Sequence, residues 1–210
     1  MPDFQVLEPA IDPNNRMSFL LDWELTKLCN LDCSYCPQGL DGGHDNTTQH
    51  PELTECLKTI DFMYEYVDLY MQYKKPSQRK VILNVYGGES LFHPDIVEIL
   101  TECKQRYAKY KDRWHLTLHC TTNAVLGARQ WDKVDQLIDN FTISYHPEAT
   151  AKQKAMVKRN ALQLKAKNIP FRVVTLMHNN KDHWADCMDA VKFFEQHGIE
   201  CTTKPLDNYG

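Results

Sequence analysis

Short apolar segments alternate with helical patterns along the 210-residue chain, and this alternation restricts the fold more than any other feature. The predicted strands are residues 18–26, 81–86, 115–121, 141–146, 171–178 and 199–204. The predicted helices are residues 51–71, 94–107, 129–138, 148–167 and 182–197, where apolar residues recur at a spacing of three and four. Strands that alternate with helices indicate parallel βα units. Because a complete eightfold barrel needs about 250 residues, we expect an α/β fold: an incomplete (β/α)6 TIM-type barrel with parallel strands.

The domain organisation follows from the same pattern. Residues 1–17 contain three prolines and no periodicity, which indicates an extended N-terminal lead-in. Residues 18–210 contain all six βα units and no internal repeat, so we expect them to form a single core domain.

Four of the predicted strands carry polar residues on one face. In a parallel sheet covered by helices, the apolar face packs against the helices, and the polar face is left for the lumen. The polar positions are Asp22, Glu24, Thr26, Asn84, Tyr86, Thr117, His119, Thr121, Thr142, Ser144 and His146. Two interpretations remain open: these side chains line a ligand cavity, or they hydrogen-bond one another in a packed interior.

Charge and composition exclude several classes of protein. A net charge of −4 argues against nucleic acid or an anionic membrane as the main partner, although the helix at 148–167 is rich in lysine. The N-terminus lacks a signal-peptide pattern, and no run of about 18 apolar residues occurs. We therefore expect a cytoplasmic protein whose eight cysteines are reduced thiols rather than disulfides.

The cysteines Cys29, Cys33 and Cys36 form a cluster directly after the first predicted strand. The C-terminal ends of barrel strands are where active sites are built. Closely spaced thiolates select iron-sulfur clusters or zinc, and three ligands leave one iron of a cubane open. A closed zinc site would need a fourth ligand, for which His44 or His50 is available.

The segment CNLDCSYC resembles the CxxxCxxC motif of radical S-adenosylmethionine (radical SAM) enzymes, including the aromatic residue, Tyr35, before the third cysteine. The resemblance implies a 4Fe-4S cluster on the three cysteines, with S-adenosylmethionine chelated at the open iron. Reductive cleavage of that cofactor would give a 5′-deoxyadenosyl radical, which abstracts hydrogen from a substrate. The electron would come from a reductant such as flavodoxin or ferredoxin.

Two further segments are similar to motifs of this family. YGGES at 86–90 resembles its Gly-Gly-Glu-Pro motif, with Ser90 in place of proline, and TTNA at 121–124 resembles its Thr-Asn-Gly segment, with Ala124 in place of glycine. The cofactor contacts implied by the resemblance are Tyr35, Gly87, Gly88, Glu89, Thr122, Asn123, Ser144 and His146. No catalytic residue is identified, and His178 and Lys204 are the candidates for substrate contact.

The motifs limit the substrate only to a broad class. The motifs look most like those of the peptide-modifying and coenzyme-maturing branch, which predicts a peptide or a small metabolite. Members of that branch often carry a C-terminal extension with auxiliary clusters, so we expect either a minimal enzyme or the front portion of a longer one. Two alternatives stay open: an activity like that of 7-carboxy-7-deazaguanine synthase, and a non-catalytic iron-sulfur or zinc binding module.

Overall fold

The computed structural model describes residues 18–36, 49–177 and 180–206; the predicted lead-in lies outside this range. Six strands form one sheet, in which every neighbouring pair is parallel. The strands are β1 (Phe19–Thr26), β2 (Lys80–Gly87), β3 (His115–Thr122), β4 (Asn140–Tyr145), β5 (Phe171–Met177) and β6 (Cys201–Pro205). The helices between them are α1 (Leu53–Met71), α2 (Ile96–Tyr107), α3 (Ala128–Val134), α4 (Ala151–Ala166) and α5 (Trp184–Gln196).

The strand order follows the order along the chain, so β1 and β6 are the two edges of an open sheet. This arrangement results from βα units added one after another in the same direction, each with a helix that connects two parallel neighbouring strands. The predicted incomplete α/β barrel is confirmed. Parallel order also brings the C-terminal ends of all six strands to the same side, where ligand sites of such folds form.

The apolar rows of the strands face the helices, as expected. Trp23 in β1 and Leu83 in β2 are almost fully buried and belong to the same core as Ile60 and Tyr64 of α1. Because every second strand residue points to this side, the alternate, polar residues are directed to the opposite face. That face is the lumen of the open barrel.

Both interpretations of the polar face hold, at different depths. Deep in the lumen the side chains pair: Asn84 donates to Asp22 at 2.6 Å and accepts from Thr121 at 3.1 Å. A second set of hydrogen bonds joins the side chains of His119, Thr142 and Arg172. Nearer the C-terminal ends of the strands, Tyr86 lines a cavity, and Thr121 both lines this cavity and bonds to Asn84.

Two helix boundaries differ from the prediction by more than two residues. The helix expected at 148–167 begins at Ala151 because Thr150 caps it, in a capping box with Gln153. The helix expected at 129–138 ends at Val134. The next residue, Asp135, is buried, and its carboxylate binds Lys167 at 2.5 Å, so the chain turns there instead of continuing the helix.

Three basic residues of α4 and its C-terminus make contacts within the fold. Lys154 forms an ion pair with Asp186 at 2.9 Å, and Lys158 lies 4.7 Å from the ring centre of Phe193. Lys167 pairs with Asp135, as described above. These contacts favour a structural role for this helix over a nucleic-acid surface. Among the described residues, no helix combines the length and the apolar character that a bilayer crossing requires.

Candidate cofactor site

The three motif cysteines open into one cavity of about 510 Å³ at the C-terminal ends of the strands. Cys29 lies at the start of the loop after β1, and Cys33 and Cys36 flank a tight turn closed by a 3.0 Å bond from the Cys36 amide to the Cys33 carbonyl. The turn presents both of these thiols to the same space. The structure therefore brings together the residues that the sequence places in one cluster.

Burial makes these thiols costly to ionise in the absence of a metal. It raises the pKa of Cys33 to about 11 and that of Cys29 to about 12. A thiol binds metal as the thiolate, so iron must displace the proton. Soft sulfur donors that converge on one cavity suit an iron-sulfur cluster, and the three residues fit the group that the motif implies.

The alternative zinc site gains no ligand from His50. Its Nδ1 lies 3.0 Å from the Thr26 hydroxyl, and its ring packs 4.8 Å from that of His93. His44 lies outside the described residues. Within the described ranges, no three His, Cys, Asp or Glu side chains are close enough together to share one metal ion, and this includes the three motif cysteines. A four-iron cluster is larger than one ion, since each cysteine binds a different iron.

Two glycines let the end of β2 approach the cysteine loop. The Gly88 amide donates to the Thr26 carbonyl at 2.8 Å, and a Cβ on Gly88 would lie 2.4 Å from the Lys27 carbonyl oxygen. Gly87 has a φ of 149°, and a Cβ there would lie 2.1 Å from the Thr26 oxygen. Only glycine fits at these positions. Both residues line the cavity.

Glu89 lies behind the cavity wall rather than in it. Seven of the eight predicted cofactor contacts line the cavity, and Glu89 is the exception. Its carboxylate accepts hydrogen bonds from the Leu91 amide at 3.0 Å, the Thr122 hydroxyl at 2.8 Å and the Asn123 amide at 2.6 Å. Burial raises its pKa to about 7, although these bonds oppose the shift. In this structure Glu89 supports the end of β3.

The β3 end in turn holds the first cysteine. The Asn123 side chain donates to the Asn30 side chain at 2.8 Å and lies 3.7 Å from the sulfur of Cys29. Asn30 also donates to the Val125 carbonyl at 2.7 Å. A continuous set of contacts therefore runs from Glu89 through β3 to the cysteine loop.

On the opposite side of the loop, the residues after β4 contact the second cysteine. The Nδ1 of His146 lies 3.4 Å from the sulfur of Cys33 and 3.0 Å from the Tyr35 hydroxyl. The rings of His146 and Tyr35 are nearly parallel, 6.1 Å apart. Desolvation lowers the pKa of His146 to about 4, so the imidazole is neutral at physiological pH. Ser144 also lines the cavity.

The structure adds residues to the site that the sequence did not indicate. Glu148 binds Ser34 within the cysteine turn, and Asn30 links the loop to β3. The two members of each pair are about a hundred residues apart, and no local sequence pattern indicates such contacts. Of the two substrate candidates, Lys204 lines the cavity, whereas His178 lies outside the described residues.

Comparisons with known proteins identify a family and solved structures with a similar fold. The model of the Radical SAM superfamily matches residues 23–205. A solved structure described as "Native anSMEcpe with bound AdoMet" has a TM-score of 0.62 and 16% sequence identity, over 90% of this chain and 51% of that one. A second, "Native anSMEcpe with bound AdoMet and Cp18Cys peptide", has a TM-score of 0.61 and 17% identity, over 91% and 53%.

The chain thus spans about half the length of these solved proteins, whose likeness shows the fold. A search of curated proteins found no match. The family match covers most of the chain, from β1 to β6, and includes all three motif cysteines. The chain therefore belongs to the Radical SAM superfamily.

Proposed function

We propose that this chain is the core of a radical SAM enzyme, which cleaves S-adenosylmethionine reductively at a 4Fe-4S cluster and then abstracts hydrogen from its substrate. The superfamily uses this cluster and this cofactor. The observation that carries the proposal is the shared cavity: three thiols form one wall, and the ends of β2 to β6 form the others. The cluster and S-adenosylmethionine could be held in contact in this cavity.

We assign the cluster to Cys29, Cys33 and Cys36. Three protein ligands leave a coordination position open, which a cofactor with amino and carboxylate groups can occupy. When bound, the cluster supplies the electron for cleavage of S-adenosylmethionine. The protein supplies the orientation of the reacting groups and keeps competing reactions away.

Residues at the strand ends are suited to bind the cofactor. At Gly87 and Gly88 no side chain covers the backbone, so a ligand can approach it closely. Asn123 and Ser144 offer hydrogen-bonding groups on two neighbouring strand ends, and Tyr35 adds an aromatic ring beside the cysteines. We propose these five residues, together with Thr122 and His146, as cofactor contacts. We propose that Glu89 supports Thr122 and Asn123.

The substrate is proposed to be a peptide or a small metabolite that enters beside β5 and β6. Leu176, Lys204 and Leu206 line that side of the cavity and offer apolar surface and one cation. The solved relative with a bound Cp18Cys peptide shows that a peptide is accommodated in that protein.

We further propose residues 18–210 as the core domain. Flavodoxin or ferredoxin is proposed as the electron donor. The compartment is proposed to be reducing, which is consistent with eight free thiols.

The test is cofactor cleavage by anaerobically reconstituted protein. With a strong reductant, S-adenosylmethionine should be converted to 5′-deoxyadenosine and methionine in equal amounts, measured by liquid chromatography and mass spectrometry. Cys33→Ala should abolish both products because the cluster loses a ligand. Cys201→Ala is the matched control: that thiol lies at the start of β6, outside the cavity lining, and its loss should leave cleavage intact.

The non-catalytic alternatives give different results in the same experiment. A full cluster without 5′-deoxyadenosine would indicate a non-catalytic iron-sulfur module. Zinc in place of iron in protein purified anaerobically would indicate a zinc module. Either result would reject the enzymatic proposal.

A further inference from the structure

The turn that carries Cys33 and Cys36 is held by a carboxylate from a distant part of the chain. The backbone amide of Ser34 donates to Oε2 of Glu148 at 2.7 Å, and the Ser34 hydroxyl donates to Oε1 at 2.5 Å. Both oxygens of one carboxylate are therefore directed at a single residue, which lies between two of the cluster ligands. Hydrogen bonds to an ionised acceptor are short and strong, and a pair of them fixes orientation as well as distance.

Glu148 reaches this turn because the chain is not yet helical there. The cap at Thr150 starts α4 at Ala151, so Glu148 lies in the connection after β4. Pro147 precedes it and restricts the backbone. Two residues upstream, His146 contacts the sulfur of Cys33. The connection after β4 thus contacts the turn at two adjacent residues: the side chain of Cys33 and the backbone of Ser34.

The two hydrogen bonds from Ser34 to Glu148 restrict the conformation of the turn. A turn that is already ordered loses less conformational freedom when the cluster binds. Glu148 therefore contributes to the site through the position of this turn.

We infer that Glu148 is a positioning residue that holds the turn from Cys33 to Cys36 in the arrangement needed to bind and retain the cluster. The inference rests on the cluster assignment of the proposed function. Glu148 touches neither the cluster nor the substrate in this role. It acts through Ser34.

The test compares Glu148→Gln and Ser34→Ala with wild type. Glu148→Gln keeps the size of the side chain but loses the charge and one acceptor, whereas Ser34→Ala loses only the hydroxyl donor. The matched control is Glu98→Gln, at an exposed position of α2. Two quantities are measured: amide hydrogen exchange of residues 29–36, and the rate at which reconstituted protein loses iron to a chelator.

In Glu148→Gln, exchange at the Ser34 amide and the rate of iron loss should each rise about tenfold, the effect of one lost charge-assisted bond. Ser34→Ala should show a smaller rise in iron loss, and the control none. Exchange in the β-sheet and the melting temperature should stay unchanged, which separates positioning from a general loss of stability.

Three results would overturn the inference: unchanged exchange at residue 34 in Glu148→Gln, iron loss equal to that of wild type, or faster exchange throughout the sheet. Failure of the proposed function looks different. In that case wild-type protein would bind the cluster yet form no 5′-deoxyadenosine, and the rates of iron loss could still be compared.

Discussion

Glu89 belongs to a motif that the sequence reveals, but its burial determines which groups its carboxylate contacts. The resemblance implies that Glu89 contacts the cofactor. In the structure, however, its two oxygens bond to Leu91, Thr122 and Asn123, and only about 1% of the residue is exposed. A buried carboxylate with three donors is held in one orientation. Its direct contact with the cofactor stays a prediction, and its contact with β3 is a feature of the fold.

The burial of Glu89 predicts a specific dependence of stability on pH. Its pKa is about 7 in the folded chain against an ordinary 4.5. Between these values the folded state keeps a proton that the unfolded state has lost. The free energy of unfolding should therefore fall as pH rises through this window, by up to about 1.4 kcal/mol per pH unit, and level off above it.

Glu89→Gln should lack this slope, because glutamine does not titrate. Urea unfolding at several pH values between 4.5 and 7 measures the difference between variant and wild type. The exposed Glu98→Gln should keep the wild-type slope. Parallel pH profiles for wild type and Glu89→Gln would contradict the assigned pKa.

Single residues also show what the sequence could and could not reveal about the site. The cysteines, Tyr35 and the glycine pair were predicted because each belongs to a local motif. The contacts of Asn30 with Asn123 and of Ser34 with Glu148 could not be predicted. They join residues about a hundred positions apart, and these residue types are common on any protein surface. Such contacts depend on the folded path of several loops.

At the scale of elements, the site depends on how closely the end of β2 approaches the loop after β1. Gly88→Ala would place a methyl group 2.4 to 2.5 Å from the carbonyl oxygens of Lys27 and Leu28, and these backbone atoms cannot rotate away. We expect a loss of about 2 kcal/mol or more in the free energy of unfolding and reduced iron content after reconstitution. Denaturant unfolding and iron analysis measure the two effects.

Gly127 provides the matched control for that substitution. It precedes α3 with an ordinary φ of −63°, and a Cβ there would meet no atom within 4 Å. Gly127→Ala should therefore change the free energy of unfolding by less than about 1 kcal/mol. Equal stability of the two variants would show that the loop can move aside for a side chain.

The elements themselves were largely predictable, for a physical reason. Apolar periodicity reports which face of a strand or helix is buried, and β1 to β5 bury residues at alternate positions. The edge strand β6 has no buried residue. The ends of elements depend on single hydrogen bonds, which periodicity does not report. The cap at Thr150 and the buried pair of Asp135 with Lys167 moved two helix boundaries by three and four residues.

At the scale of the whole molecule, the cavity is the place where separate βα units meet. Its lining comes from the loop after β1 and from the ends of β2, β3, β4, β5 and β6. The sheet is open, with β1 and β6 as its two edges, and the loop after β1 and the end of β6 line the same cavity. A ligand that fills the cavity would therefore contact both ends of the sheet.

Cofactor binding should therefore stabilise the entire fold, but only when the cluster is present. At a concentration about a hundred times its Kd, S-adenosylmethionine should add about 2.7 kcal/mol to the free energy of unfolding, a rise in Tm of roughly 5–10 °C for a chain of this size. Anaerobic scanning calorimetry measures the shift. In Cys33→Ala the shift should disappear because the open iron is lost, and an equal shift there would mean that the cofactor binds without the cluster.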